Sequence, residues 1–203
     1  MAENGSAQAE ARKNIILYYG TFEPYQGLDL LADSIGAVIE RLPQALFMFV
    51  GGTPEQVASL QQRIEGKGWG EHAVFTGTVP PREIPRYTAL ADILVSPRIG
   101  GSNTPLKIYS YLRSRKAIVA TNHPSHTQVL SPEIAMLTDI QPQAIAEGII
   151  ALLEDQALRE RLAMNAWSFA EEHFRWENVR EKIRVMYDAL TSQPVGRSSA
   201  KDV

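Results

Sequence analysis

Short unbroken apolar runs alternate along this chain with longer stretches in which apolar residues recur every three or four positions. The runs at 14–19, 45–50, 73–76, 92–96 and 117–121 read as buried strands, and 135–137 as a short edge strand. Between them Leu28, Leu31, Ile35, Val38, Ile39 and Leu42 fall on one face of a helix that stops before Pro43. Val57, Leu60 and Ile64 do the same ahead of Gly66 and Gly68. A third helix is predicted from Thr104-Pro105 to about Ser114, with Thr104 as N-cap and Pro105 preorganised for the first helical position. Ile145, Ile149, Leu152 and Leu153 mark a fourth. The segment 158–174 continues into Val179, Ile183, Met186, Tyr187 and Leu190, and its aromatics, Trp167, Phe169, Phe174, Trp176 and Tyr187, read mostly as helices clamped onto the sheet. Strands alternating with helices in this way imply an α/β fold, a Rossmann-like doubly wound parallel sheet of about six strands with C-terminal helices.

Composition narrows this further. With 203 residues, 44% of them apolar, the chain can bury one full core. Segments 1–12 and 191–203 are polar and without an apolar face, so both are expected to be unstructured around a folded domain at 13–190. The absence of cysteine excludes a disulfide scaffold, a thiolate metal site and a cysteine nucleophile. Lys and Arg number 20 against 23 Asp and Glu, for a net charge of −3, and no basic run tracks a phosphate backbone; nucleic acid is not an expected partner. The apolar runs are far shorter than the roughly 18 residues of a membrane span, and residues 1–12 lack the apolar core of a secretory signal. The expectation is a soluble, cytoplasmic protein.

Parallel sheets of this type bind ligands beyond the carboxyl ends of their strands, where the strand order reverses. That directs attention to the loops after the first, third, fourth and fifth strands. Loop 20–27 carries Gly20 and Gly27 around a strand-to-helix turn, where backbone amides can approach an anion. It has neither the Gly-Lys-Ser/Thr of a P-loop nor G-x-G-x-x-G spacing, and glycines placed for turn geometry alone are the alternative. Loop 96–107 passes through Gly100 and Gly101 into the predicted third helix. Lys107 in that helix's first turn opposes the helix dipole, which suits a nearby phosphate or, equally, a solvated lysine paired with a carboxylate. Loop 121–127 holds His123 and His126, but it has no Cys or carboxylate to complete a metal site, and His126 reads as a capping or packing residue. No Gly-x-Ser-x-Gly elbow supports a serine hydrolase.

Taken in order, YYGTFEPYQGLDLLADSI, FMFVGGTPEQ, VFTGTVPPREIPRYTALADILVSPR, NTPLKIYSYLRSRKAIVATN and FRWENVREKIRVMYDAL resemble the C-terminal, donor-binding half of group 1 (family 4) glycosyltransferases with the GT-B fold. The resemblance implies a domain that grips a nucleotide-diphosphate sugar, as donor substrate rather than cofactor, in a crevice facing a second Rossmann-like domain. By it, Gly20, Thr21 and Gln26 lie near the diphosphate, Thr78 and Val79 border the nucleobase, and Asn103, Thr104, Pro105, Leu106 and Lys107 cradle the phosphates and the transferred sugar. Ser110 takes the ribose position, and Arg98 adds charge. No metal is implied.

This chain departs from the family pattern at several points. The usual pair of glutamates would fall at 102 and 110, and both positions are Ser; the usual basic pair on the first loop is replaced by Thr21 and Gln26. A serine hydroxyl offers a ribose one neutral contact where a carboxylate accepts from two hydroxyls, a loss of about 1–2 kcal/mol. No counterpart of the acceptor-binding half, or of its catalytic side chains, is visible in 203 residues. Two readings follow: the donor half of a hexosyltransferase working with an acceptor-binding N-terminal domain or a separate chain, or a degenerate binding or interaction module without transferase activity. Any peripheral association with membranes would come through the missing half.

Overall fold

A computed structural model describes residues 13–191; the terminal segments 1–12 and 192–203, expected to be unstructured, lie outside the described residues. Six strands form one parallel sheet in the order β3-β2-β1-β4-β5-β6. They are β1 (Asn14–Gly20), β2 (Ala45–Gly51), β3 (Ala73–Gly77), β4 (Ile93–Ser96), β5 (Ala117–Thr121) and β6 (Met136–Thr138). The helices are α1 (Leu28–Arg41), α2 (Pro54–Glu65), α3 (Ile84–Leu90), α4 (Leu106–Arg113), α5 (Pro124–Thr127), α6 (Pro142–Glu154), α7 (Gln156–His173) and α8 (Trp176–Thr191). Thr191 thus ends α8.

Alternate residues of the four inner strands enter different cores, which is why those strands read as continuous apolar runs. In β1, Ile16 and Tyr18 pack with Ile35, Val38, Phe47 and Ile149, on the face covered by α1, α2 and α6. Leu17, between them, packs with Leu94, Ile108, Leu112 and Ala166, on the face of α4 and α7. Each large side chain fully buried here, such as Leu17 or Phe47, contributes roughly 1.5–3 kcal/mol. The two faces hold the sheet from both sides and fix the register, Asn14 opposite Ala45 through Gly20 opposite Gly51, and Ile16 opposite Ile93.

Two departures from the sequence reading concern helices. α3 and α5 go unmarked by periodicity because they span only seven and four residues. Ile183, Met186, Tyr187 and Leu190 of α8 do not clamp onto the sheet and are all half or more exposed, whereas Phe169 and Phe174 of the preceding segment do pack against the second core; the side chains of Trp176 and Val179 lie outside the described residues. Trp167 is covered by the Arg115 guanidinium, 4.2 Å from its ring centre. Among the described residues no helix is long and apolar enough to cross a membrane.

Candidate functional site: a crevice over the strand ends

The strand order runs outward in both directions from β1 and β4, so the loops leaving those two strands diverge and open a crevice. The loop after β2, which the sequence reading did not single out, forms part of it. Gly51 has φ +119°, and a Cβ there would lie 2.0 Å from the Gly20 carbonyl oxygen, so two glycine-ended strands can stop side by side with no side chain between them. The space they leave is a cavity of about 370 Å³ lined by Tyr19, Gly20, Thr21, Gly52, Thr78 and Val79 among others. A second cavity of about 470 Å³ lies against α3 and α4, with Ser110 and Arg113 in its wall. Tyr19, Pro81 and Ile84 line both, which makes them one crevice.

At the crevice end of α4 the cap differs from expectation. Pro105, extended at φ −62° and ψ 132°, is the N-cap, and no side chain caps the helix. The Thr104 hydroxyl is engaged elsewhere, donating to Gln128 Oε1 at 3.1 Å. The first-turn amides of α4 therefore have no side-chain acceptor. Beneath Gly20 sits the ammonium of Lys107: Nζ donates to Gln26 Oε1 at 3.1 Å and lies 4.0 Å from the Tyr18 ring centre. A Cβ on Gly20 would come within 3.0 Å of it. The Tyr18 phenol donates to the Thr21 carbonyl at 2.6 Å, and Gln26 Nε2 reaches Thr21 Oγ1 at 3.5 Å, so the first loop is tied to the floor on which Lys107 rests. Lys107 thus faces a neutral amide and an aromatic ring, which answers the question its position raised. Burial first, and the nearby Arg98 charge second, lower its pKa from the ordinary lysine value of 10.5 to about 7.

Arg98 is only 5% exposed. Its Nε donates to the Gly100 carbonyl and its Nη2 to Asn103 Oδ1 at 3.2 Å, while the guanidinium lies 5.2 Å from the Tyr25 ring centre. Its charge reaches the site, but its hydrogen bonds shape the loop. His126 is fully buried beneath the same loop, its Nε2 2.9 Å from Ser96 Oγ and its Nδ1 2.9 Å from the Thr121 carbonyl. That geometry makes Nδ1 the donor and Nε2 the acceptor, and burial lowers the imidazole pKa to about 4. His123 caps α5 by accepting from the Ser125 amide at 3.1 Å. On the opposite wall Thr78 Oγ1 donates to the Gly52 carbonyl at 2.9 Å, with half-buried Val79 beside it. The fold brings together Gly20, Thr21, Gln26 and Lys107; Thr78 and Val79 face them across the crevice, and Ser110 lies one turn along α4. Leu106, at 83% exposed, and Asn103 are at the surface, and neither lines the two cavities.

A family model described as glycosyl transferases group 1 matches residues 3–168. The chain belongs to this family. Among curated relatives of the group 1 domain, the phosphatidyl-myo-inositol mannosyltransferase of Mycobacterium tuberculosis is 27% identical over 183 residues, covering 86% of this chain and 47% of that protein. The chain spans about half the length of the curated relatives it matches. Among solved structures, Anabaena HepE in complex with UDP superposes with a TM-score of 0.80 at 20% identity, over 88% of this chain and 50% of that one. The C-terminal domain of a group 1 family glycosyl transferase (LpcC) from Francisella tularensis superposes with a TM-score of 0.71 at 19% identity, covering 81% of this chain and 87% of that domain. These likenesses establish the six-stranded Rossmann-like fold as one half of the GT-B architecture.

In this group 1 domain two residues the sequence reading overlooked organise the crevice. Tyr19, the last side chain of β1, lines both halves, and Gln128, just past α5, holds loop 98–105: its Nε2 donates to the Ser102 carbonyl at 2.8 Å while Oε1 accepts from Thr104. The position of Tyr19 at a strand's carboxyl end was the available signal; Gln128 offered none.

Lys107 gives the domain a pH signature. The unfolded chain keeps the ordinary lysine pKa, so between about pH 7 and 10.5 it binds more protons than the folded one, and this group raises stability as pH rises through that window. An anion beside Nζ acts oppositely on the bound state and raises the pKa. Binding of a phosphate-bearing anion there above pH 7 is therefore expected to take up a proton, with affinity falling up to about tenfold per pH unit. Calorimetry in buffers of different ionisation enthalpy measures the uptake; zero uptake at pH 8 would contradict it.

Proposed function

We propose that this chain is the donor-binding half of a glycosyltransferase, holding a nucleoside-diphosphate sugar in the crevice and requiring an acceptor-binding half, in the same polypeptide or another, for transfer. The observation that carries the reading is the meeting, under Gly20 and Thr21, of the Lys107 amine and the α4 end that no side chain caps. A diphosphate at this point receives backbone donors, the positive end of a helix dipole and a cation. The leaving diphosphate of a transfer reaction would be stabilised by the same groups. The cavity beside Thr78 and Val79 has the apolar lining that suits a base. HepE, whose fold this chain shares, is a protein crystallised with UDP, in keeping with a uridine or other nucleoside diphosphate here.

Positioning of the donor is the contribution assigned to this half, and no catalytic side chain is assigned to it. The acceptor and the protein's location follow the acceptor-binding half: a lipid acceptor, like that in the mannosyltransferase's name, would bring the complex to a membrane surface, and a soluble one would leave it in the cytoplasm. Calorimetric titration of the chain with UDP-, GDP- and ADP-sugars tests the reading, with saturable binding of at least one expected. Silence across the panel would favour the degenerate module that Ser102 and Ser110 suggest.

A further inference from the structure

We propose that the donor site of this chain does not read the ribose 2′-hydroxyl, and so takes ribo- and 2′-deoxyribonucleoside diphosphates alike. The inference rests on the donor reading above and concerns the part of the crevice between phosphate and base. Ser110 follows Lys107 by three residues, on the same face of α4 and about 4.5 Å further along its axis. A diphosphate at Lys107 with its base beside Val79 places the connecting ribose at the junction of the two cavities, which Tyr19 lines from both sides.

Of the side chains lining the half against α4, all but Arg113 are neutral. The Ser110 hydroxyl is an exposed neutral group, so a ribose hydroxyl that meets it exchanges water for one weak contact. The Ser114 and Thr88 hydroxyls in the same wall donate to the Tyr111 and Ile84 carbonyls, at 2.6 and 3.1 Å. The one charged side chain lining that half is Arg113, a donor that meets Glu171 at 3.5 Å on the outer surface. The carboxylate in the adjoining half, Glu23, lies on the α2 side, where Gln56 Nε2 donates to it at 3.4 Å. Among the described residues no carboxylate lines the half of the crevice against α4, and removing the 2′-hydroxyl leaves no buried charged group there unpaired.

UDP and dUDP differ only in that hydroxyl and are the probes. Titrated into the chain by calorimetry, they are expected to bind within about threefold of each other, the range of a weak neutral contact. The exposed position of Ser110 lets S110E install a carboxylate without disturbing the core, and this variant is expected to prefer UDP by about tenfold or more. A wild-type preference for UDP of tenfold or more, or an S110E ratio unchanged from wild type, overturns the inference while leaving the donor reading intact. Failure of both nucleotides to bind overturns the donor reading and the inference with it.

Discussion

Replacing Lys107 with methionine is expected to weaken nucleoside diphosphate binding about 10- to 100-fold at pH 6.5, the worth of a charge-assisted hydrogen bond to phosphate. The domain itself should lose no stability. The ammonium is held against the Tyr18 ring with a single amide oxygen as acceptor, and burial lowers its pKa to about 7, so the folded state is carrying a charge it disfavours. Methionine keeps an apolar stem of similar length over Tyr18 and removes the desolvated charge. Affinity and melting temperature should therefore separate, one falling steeply while the other holds or rises. Such a group is costly to the empty fold and repaid only by a ligand, which is the pattern of a binding residue rather than a structural one. Unchanged affinity for UDP in a folded Lys107→Met protein would remove the cation from the site.

How much of this was legible beforehand follows from which contacts are local. The strands stood out because a parallel sheet covered on both faces needs apolar residues at successive positions, and even the three residues of β6 carried that mark. Lys107 and the first loop were found because glycines and a misplaced cation break local rules. Arg98 showed only its charge, because the hydrogen bonds from its guanidinium to Gly100 and Asn103 depend on the folded loop. Thr104 misled for a related reason. Its hydroxyl had a choice between the helix it precedes and Gln128, 24 residues on, and the sequence shows only the first partner. The crevice wall at Gly51 and Gly52 stayed hidden because a double glycine after a strand looks like any turn until the Gly20 carbonyl is placed against it. What escaped, then, are long-range pairings that set the shape of the site, while the residues that bear its charge were visible.

The two anion-facing loops are also joined to each other, and the joint is Gly27, where alanine is expected to cost about 2–5 kcal/mol, roughly 1–2 for the left-handed backbone and 1–3 for the steric conflict. At φ +72° Gly27 ends the turn at Pro24–Gln26 and opens α1, and a Cβ there would lie 2.0 Å from the Pro97 carbonyl oxygen and 3.0 Å from Ile99 Cγ2. The Ile99 amide donates to the Tyr25 carbonyl at 3.0 Å across the same contact. Relief of the clash must part loop 20–27 from loop 96–105, pulling Gln26 away from Lys107 and Arg98 from Tyr25. The melting temperature should fall by about 5–15 °C for a domain of this size. Gly68 supplies the control: its φ is +78°, yet nothing lies within 4 Å of the position a Cβ would take. Gly68→Ala should lose only the backbone share, about 1–2 kcal/mol, and keep its affinity for UDP. Equal losses of stability in the two variants would mean that the loops meet at Gly27 without depending on it, and the preorganised arrangement of the donor site would then need another source.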